Sequence, residues 1–242
     1  MNRLGLSSGS LPQASADEMV GRLHELGLDL VDLRWGKGYA WQDGGLRPFA
    51  VAGVDVAFLG VSVTLGEGDP QLADLVPAVI DVLDGRRDIA IKVFASAQLG
   101  SGDEAVWTVA RRQLDRLATC AAAAPLVETH HGYAGLDSVD RLCQQLGCAV
   151  LLDLGGFFRL TGSFLDPAGV IARRTSAIQV KGFGPDAPAT HRALTELPDE
   201  AWALLDSAPT GVPITVESKS GTLAEDIGVL RQHCAVAPVG LR

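Results

Sequence analysis

The stretch Cys148–Leu154 (CAVLLDL) is apolar on both of its alternating faces as far as Asp153. Ile89–Phe94 (IAIKVF) is similar, and only Lys92 interrupts it. A strand with one solvated face alternates polar and apolar residues, whereas a parallel strand that is covered on both faces does not. The two runs therefore predict parallel strands with helices on one side and a barrel interior on the other.

Eight runs of this kind alternate with amphipathic segments along the chain. The predicted strands are Leu4–Ser7, Leu30–Arg34, Val54–Val61, Ile89–Phe94, Leu126–His130, Ala149–Leu154, Ala177–Lys181 and Ile214–Glu217. Six helices are predicted. The first begins after an N-cap at Ser15, and the second begins at Asp69-Pro70. The other four span Val106–Ala122, Leu136–Leu146, Asp166–Arg174 and Leu223–Gln232. A loop or one short turn is expected at Gly44–Ala52, and a long loop at Gly182–Pro188. This alternation predicts a single (β/α)8 TIM barrel over residues 1–242.

An open, doubly wound α/β sheet is the rival architecture. Such a sheet usually has a glycine-rich phosphate loop with GxGxxG spacing after its first strand. Leu4–Ser10 (LGLSSGS) lacks that spacing, which favours the barrel. The 242 residues are 47% hydrophobic and 20% charged. They are enough for one domain with a large core, although the length alone also allows two domains.

The net charge of −9 argues against nucleic acids and anionic membrane surfaces as partners. No uninterrupted apolar run reaches the roughly 20 residues of a membrane span, and residues 1–10 lack the apolar core of a secretory signal. The cysteines form no CxxC pair; they are Cys120, Cys143, Cys148 and Cys234. We expect free thiols in a cytoplasmic protein, with a secreted disulfide protein as the alternative.

Polar residues collect where the predicted strands end, which is where barrel enzymes build their active sites. Alternate strand residues share a face, so three strands each present a polar pair on one face: Glu128 with His130, Gln179 with Lys181, and Glu217 with Lys219. The chain has 20 Lys and Arg residues, yet its only lysines are Lys37, Lys92, Lys181 and Lys219. All four fall in or just after predicted strands. This indicates a requirement for lysine at the barrel mouth, unless chance placed four residues there.

Four oxygen-bearing side chains lie on successive predicted strands: Glu128, Asp153, Gln179 and Glu217. Three carboxylates and an amide that converge would suit Mg²⁺ or Mn²⁺. Without a cation, the carboxylates would repel one another and their pKa values would rise. The alternative is a buried ion network in which they pair with Lys92, Lys181 and Lys219.

With these motifs the chain resembles the xylose isomerase-like TIM-barrel superfamily, the sugar phosphate isomerases and epimerases. The resemblance covers essentially the whole chain and is strongest at LVETHHG (126–132), LLDLGG (151–156), IQVKGF (178–183) and ITVESK (214–219). It implies that Glu128, Asp153, Gln179 and Glu217 hold a divalent metal, and that the two glutamates exchange a proton beside a carbonyl. The metal would hold the substrate oxygens and stabilise the enediolate.

Two positions depart from the superfamily pattern. Gln179 stands where most members have histidine, although a branch resembling the 3-dehydroshikimate dehydratases has glutamine there, with a lysine two residues later. Gly156 stands where members have a histidine that positions the substrate or moves protons. Both departures favour a metal-free relative as one alternative.

The leading hypothesis is a Mn²⁺- or Mg²⁺-dependent isomerase or epimerase of a small sugar, cyclitol or related polyhydroxy carbonyl compound. A dehydratase-type lyase and a metal-free relative are the alternatives. His130 and Lys181 are expected to polarise substrate oxygens. The other predicted substrate-binding residues are Arg34, Trp35, Lys92, His131 and Lys219. The side chains of His24, His191 and His233 are expected in solvent, the role of Asp32 is left open, and a homo-oligomer is expected to cover the open mouth.

Overall fold

The computed structural model describes residues 2–68 and 72–236, and in them eight parallel strands close a barrel. The strands are β1 (Leu4–Ser7), β2 (Leu30–Arg34), β3 (Asp55–Leu65), β4 (Ala90–Ala95), β5 (Leu126–Glu128), β6 (Ala149–Asp153), β7 (Thr175–Val180) and β10 (Ile214–Val216). Each strand pairs in parallel with its neighbour along the chain, and β10 closes the barrel against β1. The predicted (β/α)8 barrel is confirmed.

The helices lie between the strands, as the alternation predicts. They are α1 (Ala16–Glu25), α2 (Arg47–Val51), α3 (Leu72–Leu83), α4 (Glu104–Cys120), α5 (Leu136–Leu146), α6 (Leu154–Thr161), α7 (Val170–Arg174), α8 (Asp199–Ser207) and α9 (Leu223–Val236). Ser15 caps α1 in a capping box with Glu18. The single short helix α2 agrees with the turn expected at Gly44–Ala52. The predicted helix start at Asp69-Pro70 lies outside the described residues.

Two strands and two helices were not predicted from the sequence. Gly182–Pro188 is not a long loop: β8 (Gly182–Gly184) and β9 (Ala187–Arg192) form an antiparallel hairpin. Helix α6 begins directly at the end of β6, because the Asp153 carboxylate accepts a hydrogen bond from the Gly156 backbone N–H, 2.8 Å away. Its Gly155-Gly156 pair conceals it, since glycine is a poor helix former. Helix α8 was not predicted either.

The barrel interior is layered. Its apolar layer consists of Phe58, Leu126, Leu151 and Ala177, which form a cluster separate from the main core between strands and helices. Two residues further along β5, β6 and β7 stand Glu128, Asp153 and Gln179. Because alternate strand residues share a face, these polar side chains form the next layer towards the carboxyl ends of the strands.

The four cysteines form no disulfide, as predicted. Within the described ranges, none of the helices combines the length and the apolar composition that crossing a membrane requires.

Candidate active site

A cavity of about 200 Å³ opens at the carboxyl ends of the barrel strands. All four lysines of the chain lie on its wall. Its charged lining comprises five basic and three acidic side chains: Arg34, Lys37, Lys92, Lys181 and Lys219 against Glu128, Asp153 and Glu217. With neutral histidines the lining therefore has a net charge of +2 (five minus three), in a chain whose net charge is −9.

The first ion pair of the cavity joins β4 to β5. The Lys92 ammonium lies 2.6 Å from the Glu128 carboxylate and 3.9 Å from the centroid of the Phe94 ring. Burial alone would raise the pKa of Glu128, but the positive charges of Lys92, Arg34 and Lys181 outweigh burial and lower it. Glu128 is therefore ionised, although it is buried.

The second ion pair joins β6 to the end of β7. The Lys181 Nζ lies 2.7 Å from Oδ2 of Asp153 and 4.0 Å from Oε2 of Glu217. Burial would lower the pKa of Lys181, but the two carboxylates outweigh it and raise the pKa. The lysine therefore remains a charged hydrogen-bond donor and does not become a neutral nucleophile.

The third carboxylate, Glu217, follows β10 and contacts two further cations. Its Oε2 lies 2.7 Å from Nη2 of Arg34, and its Oε1 lies 3.2 Å from Nζ of Lys219. Burial opposes ionisation, yet Arg34, Lys181 and Lys219 together lower the pKa of Glu217 to about 2. Burial would lower the pKa of Arg34, but the negative charges of Glu217, Asp32 and Glu128 outweigh burial and raise it.

Gln179 lies beneath the cavity and does not line it. Its amide donates to Ser7 Oγ and to Asp32 Oδ2, each 3.2 Å away, and its Oε1 accepts from Arg34 Nη2 at 3.3 Å. Asp32 also accepts hydrogen bonds from Ser7 and Thr215. Complete burial, only partly offset by these partners and Arg34, raises the pKa of Asp32 to about 6. Asp32 thus supports the floor of the site.

The two neighbouring histidines, His130 and His131, lie in different environments. His130 lines the cavity, and its Nδ1 lies 2.8 Å from the His131 carbonyl oxygen. A carbonyl only accepts hydrogen bonds, so Nδ1 carries a hydrogen, and in the neutral ring Nε2 keeps its lone pair. His131 does not line the cavity, and its ring contacts the Arg159 guanidinium instead.

Trp35 also lies off the cavity wall and packs against the main core. The cavity therefore brings together seven predicted functional residues: Arg34, Lys92, Glu128, His130, Lys181, Glu217 and Lys219. It also includes the predicted metal ligand Asp153.

Two residues of the wall were missed or misplaced from the sequence. His191 was expected in solvent, but the β8–β9 hairpin places it in the wall, where it is half-buried and burial lowers the pKa of its imidazole. Lys37 was singled out only by the scarcity of lysine. It makes no ion pair with any described carboxylate, whereas the other four cations each make one.

Glycines make room for the charged side chains. A Cβ at Gly155 would lie 2.5 Å from Cε of Lys181, and one at Gly60 would lie 3.0 Å from Cε of Lys92. Both distances are tight for real carbon atoms, so neither lysine stem would fit unchanged beside an alanine. The backbone is thus shaped around the two lysines.

Solved structures with the same architecture match nearly the whole chain. A xylose isomerase domain containing protein from Salmonella typhimurium matches with a TM-score of 0.71 and 14% identity, over 98% of this chain and 97% of that chain. The probable 3-DHS dehydratase AsbF from Bacillus anthracis matches with a TM-score of 0.70 and 14% identity, over 96% and 99%. The 3-keto-D-glucoside 4-epimerase YcjR from E. coli matches with a TM-score of 0.68 and 11% identity, over 97% and 100%.

This chain has the xylose isomerase-like barrel fold. No family model matches its sequence, and a search of curated proteins finds no match. The predicted resemblance is thus confirmed at the level of the fold.

The glycine at position 156 has a local cause in this xylose isomerase-like barrel. A Cβ at Gly156 would collide with the carbonyl oxygen of Thr129, and the Gly156 N–H is bound to Asp153. A histidine at this position would therefore require a different path of the chain after β5.

The donor set of this xylose isomerase-like barrel does not fit a divalent metal ion. Glu128, Asp153 and Glu217 each contact an ammonium or guanidinium group of the chain itself. In residues 2–68 and 72–236, no three His, Cys, Asp or Glu side chains are arranged to hold a metal ion together. The assignment of Mn²⁺ or Mg²⁺ to these residues remains a prediction from the sequence.

Proposed function

We propose that the chain is an isomerase- or epimerase-type enzyme that moves a proton on the carbon next to a carbonyl group. Its substrate would be a small polyhydroxylated compound that fits the cavity of about 200 Å³. One observation carries the proposal: two ionised glutamates, Glu128 and Glu217, project into one cavity from strands that β6 and β7 separate. A substrate between them would have a carboxylate on either side.

The reaction would begin when one glutamate takes the proton from the carbon. The electron pair of the C–H bond forms a C=C bond, and the π pair of the carbonyl moves to its oxygen, which gives an enediolate when that carbon carries a hydroxyl group. A proton then returns to the same carbon, or to the neighbouring carbon while the hydroxyl proton passes from one oxygen to the other. Lys92, Arg34 and Lys181 would stabilise the negative oxygen, because fixed cations in a buried site act strongly on developing charge. Substrate oxygens that take hydrogen bonds from these cations would also leave the glutamates more basic.

The excess of positive charge favours a substrate with an acidic group. The cavity lining has five cations for three carboxylates, and Lys37 has no carboxylate partner among the described residues. A carboxylate or phosphate on the substrate would complete the charge balance.

Hydrogen exchange with solvent tests the proposal. The protein would be incubated in D₂O with a panel of ketoses, aldoses and keto-cyclitols, with and without acidic groups. We expect a substrate to gain one deuterium next to its carbonyl, as measured by mass spectrometry. Glu128→Gln and Glu217→Gln should abolish exchange, while Glu200→Gln, an exposed glutamate on α8, should not. Exchange that survives both active-site substitutions would refute the roles of the glutamates.

A dehydratase-type lyase is the second candidate. Lys181 stays protonated above Gln179 and beside Asp153, so it could assist the departure of a hydroxyl group from the enolate. The fold match with a probable 3-DHS dehydratase also supports this candidate. The product distinguishes the two reactions: isomerisation conserves mass, whereas dehydration produces a compound lighter by one water, with a new ultraviolet absorption.

A further inference from the structure

The four side chains that the superfamily resemblance assigns to a metal point at nitrogen atoms of the chain. Nη2 of Arg34 bridges Glu217 Oε2 at 2.7 Å and Gln179 Oε1 at 3.3 Å. Nζ of Lys181 lies 2.7 Å from Asp153 Oδ2 and 4.0 Å from Glu217 Oε2. Nζ of Lys92 lies 2.6 Å from Glu128. Two cations therefore lie between neighbouring members of the ligand set, where a shared metal ion would have to be.

The charge of the cavity opposes a further cation. Its three carboxylates are already outnumbered by its five basic side chains. Like charges repel far more strongly in a buried site than in water. A divalent ion could bind only if Arg34 and Lys181 withdrew, and this would leave a guanidinium and an ammonium group unpaired.

The surrounding backbone accommodates these cations. Gly155 leaves space for the Lys181 stem and Gly60 for the Lys92 stem. A Cβ at Gly9 would lie 2.7 Å from Oε1 of Glu217 and 3.0 Å from Cζ of Arg34, so this glycine leaves space for the ion pair of the two residues. Gly155 and Gly60 therefore each adjoin a lysine that a larger residue would push aside, and Gly9 adjoins the Arg34–Glu217 ion pair. These clearances are consistent with a site that holds cationic side chains beside its carboxylates.

We propose that Arg34, Lys92 and Lys181 replace the divalent metal ion of this site, so that the chain carries out its proton transfer without metal. One part of this proposal rests on the proposed function, namely that the cations hold the substrate oxygens and balance the negative charge of the enediolate. The proton shuttles between carbon and glutamate, the electron pair rests on oxygen, and no oxidant or further reactant is needed. The absence of metal binding is independent of the substrate.

Metal binding tests the proposal in two proteins. The wild-type chain would be dialysed against EDTA, equilibrated with Mn²⁺, and examined by elemental mass spectrometry and by thermal unfolding. We expect far less than one Mn²⁺ per chain and no stabilisation by the ion. In the double variant Arg34→Gln/Lys181→Gln, Asp153, Gln179 and Oε2 of Glu217 lose their cations, while Lys92 still binds Glu128. We expect this variant to bind about one Mn²⁺ and to gain several degrees in Tm, as binding to the folded state alone requires.

Three controls keep the outcomes distinct. Arg112→Gln/Arg116→Gln also removes two positive charges, here from exposed positions on α4, and should stay insensitive to Mn²⁺. The single variant Lys181→Gln serves if the double variant does not fold, and it should gain weaker Mn²⁺ binding. Deuterium exchange in EDTA tests the function separately.

Stoichiometric metal in the wild-type chain would overturn the proposal, even if deuterium exchange proves the enzyme active. A folded double variant that ignores Mn²⁺ would overturn it too, because the oxygens would then not form a latent metal site. A metal-free wild-type chain without exchange on any substrate would instead count against the proposed function.

Discussion

Two layers of the same barrel interior differ completely in chemistry. On β5, β6 and β7, an apolar residue (Leu126, Leu151 or Ala177) is followed two positions later by Glu128, Asp153 or Gln179. The apolar layer is stabilised by burial, which depends little on direction. The polar layer depends on particular atoms that meet at 2.6–2.7 Å. One strand can thus supply both the core and the site, and the two layers should respond differently to substitution.

The largest effect should follow from breaking one ion pair. The side chains of Lys92 and Glu128 are only 10% and 7% exposed. Lys92→Met would leave a buried carboxylate unpaired, and we expect it to lower the free energy of unfolding by about 3–5 kcal/mol. Lys92→Met/Glu128→Gln should recover much of that loss. Urea denaturation measures both variants, and a double variant no more stable than the single one would contradict the pairing.

Leu151→Ala supplies the contrast in the apolar layer. It should cost about 2–5 kcal/mol through lost burial and a cavity. A second substitution at Glu128 should not restore that loss, since the two side chains do not compensate each other chemically.

The pH dependence of stability should separate the two buried carboxylates. Glu217 has a pKa of about 2 in the folded chain, below its ordinary value of 4.5. Its ionised carboxylate adds up to about 3 kcal/mol to the free energy of unfolding. This contribution is complete above pH 4.5 and is lost as the pH falls towards 2. Asp32 has its pKa raised from 3.8 to about 6. Its effect on the free energy of unfolding has the opposite pH dependence. The protonated Asp32 favours the folded state at low pH, and this stabilisation is lost as the pH rises through about 6.

Thermal unfolding between about pH 2.5 and pH 7 would measure these slopes. Glu217→Gln should flatten the fall in Tm below pH 4.5, and Asp32→Asn should change the slope only between about pH 4 and pH 6. If the Tm of Glu217→Gln falls below pH 4.5 as steeply as the Tm of the wild type, the Glu217 carboxylate is not held by its cations.

A smaller effect is expected from Gly155→Ala. The new methyl group must push the Lys181 stem aside, since its carbon would start 2.5 Å from Cε. We expect a loss of about 1–2 kcal/mol and a larger loss of activity, because Lys181 leaves its position. Gly228→Ala is the matched control: it also lies within a helix, has open space around it, and should be neutral or stabilising. Equal effects of the two substitutions would mean that the clearance is unimportant.

The smallest effect is expected from Lys37→Gln. Lys37 is exposed at the rim, where solvent and salt weaken its charge. We expect the affinity of the cavity for inorganic phosphate to fall about two- to fivefold, with less dependence on salt concentration. Calorimetry with phosphate measures this, with Arg112→Gln as the exposed control. Unchanged affinity would remove Lys37 from the proposed anion-binding wall.

The sequence was sufficient for the barrel because strand periodicity is local. Runs such as CAVLLDL are apolar on both faces wherever the chain places them, and the polar residues that end them reach the same rim by geometry. The four lysines were recognisable because lysine is scarce in this chain and all four lie in or just after predicted strands. His191 was not, because the β8–β9 hairpin depends on close backbone approach at Gly182 and on close side-chain contacts at Gly184 rather than on alternating side chains.

Sequence patterns could not show whether the carboxylates bind a metal ion or form ion pairs with basic side chains. Glu128, Asp153 and Glu217 look the same whether they face a metal ion or an ammonium group. Only the distances to Lys92, Lys181 and Arg34 distinguish the two arrangements. Gln179 illustrates the same limit: its strand position was correct, but its amide binds Asp32 and Ser7 beneath the cavity.

The glycines at positions 9, 60 and 155 have a consequence for comparing chains with this fold. Comparisons of active sites usually concentrate on residues that have functional groups, yet here three residues without side chains leave space for the charged groups of the site. In this chain, a larger residue at position 60 or 155 would force a lysine of the site to move. If the wild-type chain binds no Mn²⁺, small residues at those three places, together with the basic residues beside them, become a pattern to look for in other barrels of this fold.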